Sequence, residues 1–255
     1  AFTCSVPYSF TAYAETETKL IALTFDDGPN TYTTPKVLDI LEEYDAQASF
    51  FLIGDKINDD SAKVVKRAYD MGCDIANHSK THPHLTDMTE EEIREEIGYV
   101  DEYIYSITGE YPKFFRPPYL SVNQTMYDNI GHTFITGYSS GDSATDATPE
   151  SIAESVLSNA KDGAIILMHD YWGNDRTVEA LKTIMPDLQS QGYEFVTLSE
   201  LFERQECTPE HDFCYSQVMK YPCSDYTVSE NIFTGEVIGA NDWSGWNEAL
   251  LLDGE

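Results

Sequence analysis

The stretch "IALTFDDGPN", residues 21–30, runs from an apolar, β-prone segment into two adjacent aspartates and then into Gly28-Pro29. A segment that is apolar on consecutive positions, without alternation, is what a strand buried on both faces needs. Such strands belong to parallel sheets covered by helices. Gly and Pro end the strand and form a tight turn. In parallel α/β folds, binding and catalytic groups collect at the carboxyl ends of the strands. Asp26 and Asp27 occupy such an end. Two neighbouring carboxylates both held ionised carry an electrostatic cost that a cation beside one of them removes. The turn therefore reads either as an ordinary acidic turn or as two carboxylates aimed at a site.

The rest of the chain repeats the pattern. "LIALTF", "ASFFLIG", "CDIAN", "FFR", "HTFITGYS", "GAIILMH" and "YEFVTL" read as strands. Between them "TPKVLDILEEY", "SAKVVKRAYDMG", "TEEEIREEIGYVDEYIYSITG", "TPESIAESVLSNA" and "RTVEALKTIMPDLQSQG" read as amphipathic helices. Thr89 and Glu92 form a capping-box signature, and Thr148 before Pro149 marks another helix start. About seven strand–helix units predict an α/β fold and suit a (β/α) barrel better than an open sheet, although spacing alone does not choose between them. The alternation stops after Glu203. We divide the chain into an N-terminal segment 1–17, a catalytic domain 18–203, and a cysteine-bearing extension 204–255, packed on the barrel or serving in part as linker.

At 255 residues the chain can bury a sizeable core. Its formal charge is −30, with 45 acidic against 15 basic side chains. Such a surface repels nucleic acid and anionic membrane, which excludes both as main partners, and it favours a neutral over an anionic polymer as substrate. No apolar run reaches the roughly 18 residues of a spanning helix. The N-terminal residues lack the basic region of a signal peptide. Three of the five cysteines, Cys207, Cys214 and Cys223, crowd a late polar segment, while Cys4 and Cys73 stand apart. Disulfides there would suit a secreted, extracellular protein, with the odd count leaving a thiol over. Cys73 reads as a small buried apolar residue.

Other strand ends are also rich in chemistry. One ends in Asn77-His78 with His82 following, another in Arg116-Pro117-Pro118-Tyr119, and a third in His169-Asp170. His78 and His82 have metal-ligand spacing, since two imidazoles four apart can face one way on a helical turn, with Asp27 as a natural third ligand. Asp27 on a metal would leave Asp26 free as a base.

Four motifs in this order, "TFDDGP", "HSKTH", "RPPY" and "LMH", resemble the polysaccharide deacetylase family, carbohydrate esterase family four, over roughly residues 18–203. The resemblance implies a distorted (β/α) barrel of seven strands. It implies metal-dependent hydrolysis of acetyl groups from N-acetylated sugars or O-acetylated xylan. It implies Asp26 as catalytic base, and Asp27, His78 and His82 as ligands of a divalent metal, Zn²⁺ or a similar ion such as Co²⁺. Arg116 would orient the base, the Tyr119 backbone N–H would meet the oxyanion, and His169 would be the general acid. Leu167 would wall the acetyl-methyl pocket, and Ser79 would support the metal loop.

The sequence departs from that family in the motif that usually reads Asp-x-x-Asp-Trp. Here "GDSATDATPE" sets Asp142 and Asp146 one residue further apart and puts Ala147 in the place of Trp. Leu120 replaces a usual glycine. We assign Asp142 as the partner of His169, and set Trp172 as a substrate-contacting replacement for the missing Trp beside simple loop packing. Three rivals stay open. "GYSSG" around Ser139 matches the nucleophile elbow of a serine esterase, but no helix follows directly. A degenerate barrel could bind acetylated glycan without turning it over, aided by Trp243 and Trp246. Within the enzyme reading, we prefer O-acetyl groups of xylan to N-acetyl groups of chitin oligomers or peptidoglycan. The partner is an acetylated poly- or oligosaccharide, and the chain fits as part of a multidomain glycan-degrading enzyme. Asn123 begins a glycosylation sequon.

Overall fold

In the computed structural model, residues 18–220 are described. The first of nine strands among the described residues, β1 (Lys19–Gly28), is the longest of them and lies at the centre. Along the chain follow α1 (Thr33–Glu43), β2 (Ser49–Leu52), α2 (Ser61–Asp70), β3 (Asp74–Asn77), α3 (Glu90–Thr108), β4 (Phe114–Phe115), α4 (Gln124–Asn129), β5 (Thr133–Ile135) and β6 (Tyr138–Ser139). The last are α5 (Pro149–Asn159), β7 (Ala164–His169), α6 (Asp175–Ser190), β8 (Tyr193–Phe195), α7 (Leu198–Arg204) and β9 (Cys214–Tyr215). The sheet order is β6-β7-β1-β2-β3-β4-β5-β9, with β8 pairing β1 off this path, and all its strand pairs are parallel. The sheet curls into a barrel-like shell with the helices around it, eight strands in one path where the sequence suggested seven.

Alternation along β1 builds two cores from one strand, because successive side chains point to opposite faces. Ile21, Leu23 and Phe25 lie in the large cluster shared with the helices, beside Val37, Leu41, Leu181 and Ile184. Leu20 and Ala22 lie in the inner cluster, with Phe51, Ala76, Phe114, Ile135 and Ile165. Fully burying one such Leu, Ile or Phe contributes about 1.5–3 kcal/mol. Both faces are thus apolar, which is why the strand reads as one continuous run.

Residues 214–218, from the part of the extension that is described, belong to this shell. β9 pairs β5, and the next residues reach the other end of the sheet: Ile165 N–H donates to Ser216 O (3.2 Å), and Val218 N–H to Gly163 O (2.8 Å). Residues 214–218 therefore span the gap between β5 and β7.

Several expected boundaries shift. "HTFITGYS" splits into β5 and β6 around Gly137, whose φ of 108° suits glycine and whose Cβ would meet Ile165 O at 3.1 Å. The tail of "YEFVTL" is not strand, because Thr197 caps α7, its hydroxyl accepting from Glu200 N–H (3.1 Å). The capping box at Thr89 is present, and the one at Thr148 uses Ser151. Among the described residues, no helix is long and apolar enough to cross a membrane. Residues 1–17, Cys4, Cys223, Trp243 and Trp246 lie outside the described residues. Cys73 is buried, and the Cys214 sulfur lies 3.3 Å from the Tyr127 hydroxyl.

Candidate active site

Strand alternation places five polar groups on the inner face of the barrel, toward its mouth. With Leu20 and Ala22 pointing inward, so do Thr24 and Asp26; with Ile165 inward, so does His169; with Ala76 and Phe114 inward, so do His78 and Arg116. Asp26 and His169 are direct neighbours in register between β1 and β7.

By the same rule Asp27 should turn outward, toward the helices. A β-bulge prevents this. Against β2, Asp26 pairs Phe51 and Gly28 pairs Leu52, so Asp27 is an extra residue in β1. Its φ is 69°, left-handed. An inserted residue of this kind re-aims its side chain. The two adjacent carboxylates consequently meet one imidazole: His78 Nε2 is 3.8 Å from Asp26 Oδ2 and 3.7 Å from Asp27 Oδ1. Gly28 is required by close approach, since a Cβ there would lie 2.8 and 2.9 Å from the Asp170 carboxyl oxygens. Asp170 is fully buried, accepts a hydrogen bond from the Thr34 hydroxyl, and donates its N–H to Asp26 O (3.0 Å). Burial, with Asp27 and Asp26 adding to it against the Thr34 hydrogen bond, pushes its pKa up to about 7.

Asp27, His78 and His82 offer one oxygen and two nitrogens, all within 4.8 Å of one another. His82 Nε2 is also 3.7 Å from Asp27 Oδ1. The ligand atoms are prepared. His78 Nδ1–H donates to Arg116 O (2.6 Å), which leaves the Nε2 lone pair facing Asp27. Asp27 Oδ1 is buried without a hydrogen-bond partner, an orphan that a cation would satisfy. Burial opposes charge on Asp27, yet the imidazoles of His78, His169 and His82 and the Lys56 ammonium hold its carboxyl below the usual range. Burial and His78 drop His82 to about 4, so its ring is neutral at pH 7 and keeps a lone pair. These residues fit a divalent cation with open positions.

The two histidines are not on a helical turn. They sit on the loop after β3, where Ser79 (φ 64°) and His82 (φ 59°) are left-handed. Side chains hold this loop. Ser79 N–H donates to Asn77 Oδ1 (2.8 Å), and His82 N–H to Ser79 Oγ (3.1 Å). Glu96 of α3, which is buried, accepts from Thr81 N–H (2.8 Å) and Thr81 Oγ1–H (2.9 Å). The sequence reading missed Glu96, although its place on the inward stripe of α3 beside Ile93, Ile97 and Val100 marks a carboxylate out of pattern.

Arg116 is fully buried in the lumen, its Nη1 donating to Asp26 Oδ1 at 2.6 Å and its guanidinium 4.2 Å from the Phe51 ring centroid. Asp142, also fully buried, accepts from both His169 Nδ1–H and His169 N–H at 2.7 Å, and from Thr177 Oγ1–H at 2.7 Å. Burial opposes charge on His169, but Asp142, with Asp26 and Asp27 behind it, raises its pKa to about 9. Leu167 is buried on β7. Tyr119 is left-handed (φ 56°), and its ring packs 4.7 Å from His82 and 4.0 Å from His84.

Other candidates fall elsewhere. Asp146 is exposed, and Ala147 packs against the main core. Ser139 Oγ accepts from Gly141 N–H, and a loop rather than a helix follows it, so the nucleophile-elbow geometry is missing. The Asn123 amide is engaged, its oxygen capping α4 through Met126 N–H (2.9 Å) and its nitrogen donating to Thr86 O (3.1 Å). Trp172 is 64% exposed and stacks on Tyr32.

Comparison with known proteins places this geometry. The family model for polysaccharide deacetylase matches residues 13–135. A bifunctional xylanase/deacetylase of Pseudobutyrivibrio xylanivorans is 49% identical over 195 residues, covering 76% of this chain and 32% of that protein. The peptidoglycan-N-acetylglucosamine deacetylase PgdA of Listeria monocytogenes is 38% identical over 184 residues, covering 72% of this chain and 39% of its own length. The chain thus spans only about a third of the length of these curated relatives. A family 4 acetyl xylan esterase from Clostridium thermocellum, solved with a cobalt ion, superposes with a TM-score of 0.76 at 39% identity, covering 78% of this chain and 99% of that one. With that identity over nearly the whole of a family 4 esterase, and with the bulged aspartate pair, the histidine loop and the Asp142–His169 pair in one barrel mouth, the chain belongs to the polysaccharide deacetylase family.

Proposed function

We propose that this domain hydrolyses acetyl groups from a polysaccharide, with O-acetyl groups of xylan as the preferred substrate and N-acetyl groups of chitin-type sugars or peptidoglycan as the alternative. The observation that carries the reading is the convergence, in one mouth, of an Arg-held carboxylate, an Asp-His-His cluster and an Asp-held imidazole. The preference for xylan rests on the 49% identity to a xylanase/deacetylase and on the charge of −30, which disfavours an anionic wall polymer.

Asp27, His78 and His82 would hold the metal, which we take to be Zn²⁺, with Co²⁺ a fitting substitute in the same donor set. Such an ion would supply Lewis acidity to the acetyl carbonyl and to the attacking water. Asp26, its Oδ1 bound by Arg116, takes the water's proton through Oδ2 as the water oxygen bonds to the acetyl carbon. The Tyr119 backbone N–H donates to the developing oxyanion, a contact worth about 3–4 kcal/mol where single donors have been removed. Leu167 walls the methyl group. His169, protonated at pH 7 because its pKa lies near 9, gives the Nε2 proton to the departing sugar oxygen. Acetate and a free hydroxyl result. We place the reaction outside the cell, in a multidomain glycan-degrading protein.

Acetate release from acetylated xylan and from N-acetylglucosamine oligomers, measured with chelator and then with Zn²⁺ or Co²⁺ restored, tests this. We expect chelator-sensitive release from xylan, with a weaker or absent response to the N-acetylated oligomers. Release only from the latter moves the substrate to the alternative, and retained binding of acetylated glycan with no release under any metal reduces the domain to a binding module. Asp26→Asn should keep the metal and lose about 10²–10⁴-fold in rate, the range ascribed to a positioned general base. Asp27→Asn should lose the metal. Equal metal loss in both variants removes the division of labour.

A further inference from the structure

Beyond the mouth itself, the loops leaving β1 and β7 carry an aromatic pair that the reaction does not use. Tyr32, 38% exposed, and Trp172, 64% exposed, stack with ring centroids 5.2 Å apart and planes 27° from parallel. Tyr32 lies five positions after Asp27, and Trp172 three after His169, so both rings rise from the two strands that hold the aspartate pair and His169.

The pair is braced from beneath. Asn30 Oδ1 accepts from the N–H groups of Tyr32 (2.9 Å) and Thr33 (2.6 Å). Thr33 Oγ1 in turn accepts from Gly173 N–H (2.9 Å), tying the two loops together. Asp175 accepts from the Tyr32 hydroxyl (3.0 Å) and from Lys36 (2.6 Å), and the Lys36 ammonium lies 3.6 Å from the Tyr32 ring centroid. Tyr32 is thus occupied by neighbours, while Trp172 keeps its large surface toward water. An indole held in fixed orientation and left mostly wet loses the apolar burial that ordinarily stabilises Trp, and it offers a flat face of the kind that stacks on the C–H face of a pyranose.

We propose that Trp172, backed by Tyr32, is a sugar-stacking subsite that seats a pyranose unit of the glycan neighbouring the one whose acetyl group enters the mouth. The inference rests on the deacetylase reading above, and it assigns the chain-binding contact to the β1–β7 side of the mouth.

Calorimetric titration of the full chain with xylohexaose and, separately, with the N-acetylglucosamine hexamer tests this without requiring turnover. Binding of either oligomer that weakens by about tenfold in Trp172→Ala, the scale of a strong stacking contact, supports the subsite. Trp172→Phe should recover most of the affinity, Tyr32→Ala should lose several-fold, and Tyr32→Phe should retain the affinity because the backing ring remains. Equal affinity in Trp172→Ala, or no binding of either oligomer by the unsubstituted chain, overturns the proposal. A fall in melting temperature in Trp172→Ala with unaltered affinity assigns the pair to loop packing and overturns it as well. Acetate release measured in parallel keeps the two readings apart: binding with stacking dependence but no release contradicts the deacetylase reading and leaves the subsite standing.

Discussion

His169 shows how one buried carboxylate sets the charge of an imidazole across neutral pH. Burial alone would lower the imidazole's pKa, and Asp142 reverses the sign, lifting it from 6.5 to about 9. Because the folded value is raised, the charge contributes stability that is fully present below 6.5 and is lost as pH rises through about 9. Activity that needs the Nε2 proton should therefore hold across neutral pH and fall on the alkaline side near 9. Asp142→Asn should pull that alkaline limb in the kcat/KM profile toward 6.5, and a limb that stays put would show that another group donates the proton. Gly28 offers a test of geometry. In Gly28→Ala the new methyl meets the Asp170 carboxyl, and overpacking of this kind costs about 1–3 kcal/mol. Denaturant melts and metal titration should both register the loss, and a second substitution, Asp170→Ala, should restore part of it by vacating the space.

At the scale of elements, the bulge in β1 and the brace from α3 share one task, holding the three candidate ligands Asp27, His78 and His82 close together. Glu96→Ala removes the acceptor of both the Thr81 N–H and the Thr81 hydroxyl, and a hydrogen bond of this kind contributes about 0.5–1.5 kcal/mol. Zn²⁺ affinity measured by calorimetry should fall with it, and Glu96→Gln, which keeps one acceptor, should fall less. Unaltered affinity in Glu96→Ala would make α3 a mere neighbour of the loop. The long elements were legible in the sequence because β1 and β7 carry unbroken apolar runs, while α3 and α6 carry enough residues to display a period. Of the two-residue strands, β4 was read from "FFR" and β6 only as the tail of "HTFITGYS", whereas β9 and the short helices α4 and α7 show no period and are defined by their neighbours in space. The spacing of His78 and His82 suggested a helical turn, whereas left-handed Ser79 and His82 bring the rings together in a loop. Such backbone conformations leave little mark in composition. Asp27 was visible as a candidate, but the device that aims it, one extra residue against β2, exists only in the pairing.

For the whole molecule, closure depends on residues beyond the strand–helix alternation. Tyr215, 1% exposed, packs edge-on to Phe202 (4.9 Å) and Phe213 (4.5 Å), and its strand bonds to β5 while the following residues bond to β7. Tyr215→Ala should cost about 3–5 kcal/mol, as for other large aromatic truncations in cores. A chain ending at Glu203 should lose its cooperative denaturant transition, since both edges of the shell would then stand unpaired. A sharp transition in that shortened chain would show that the shell holds without its last stave.

Among the described residues, five of the eight non-glycine residues in the left-handed region, Asp27, Ser79, His82, Tyr119 and Leu120, ring the mouth. Each such conformation costs about 1–3 kcal/mol unless its surroundings enforce it. The molecule should therefore come apart in a set order, with the rim slackening while the staves beneath still hold. In hydrogen exchange on metal-free protein, the amides of residues 78–82 and 118–121 should open well before those of β1 and β7. The metal centre proposed above, assembled on such ground, would lose its ion to mild heating and regain it on cooling, a reversible loss of competence that leaves the scaffold folded throughout.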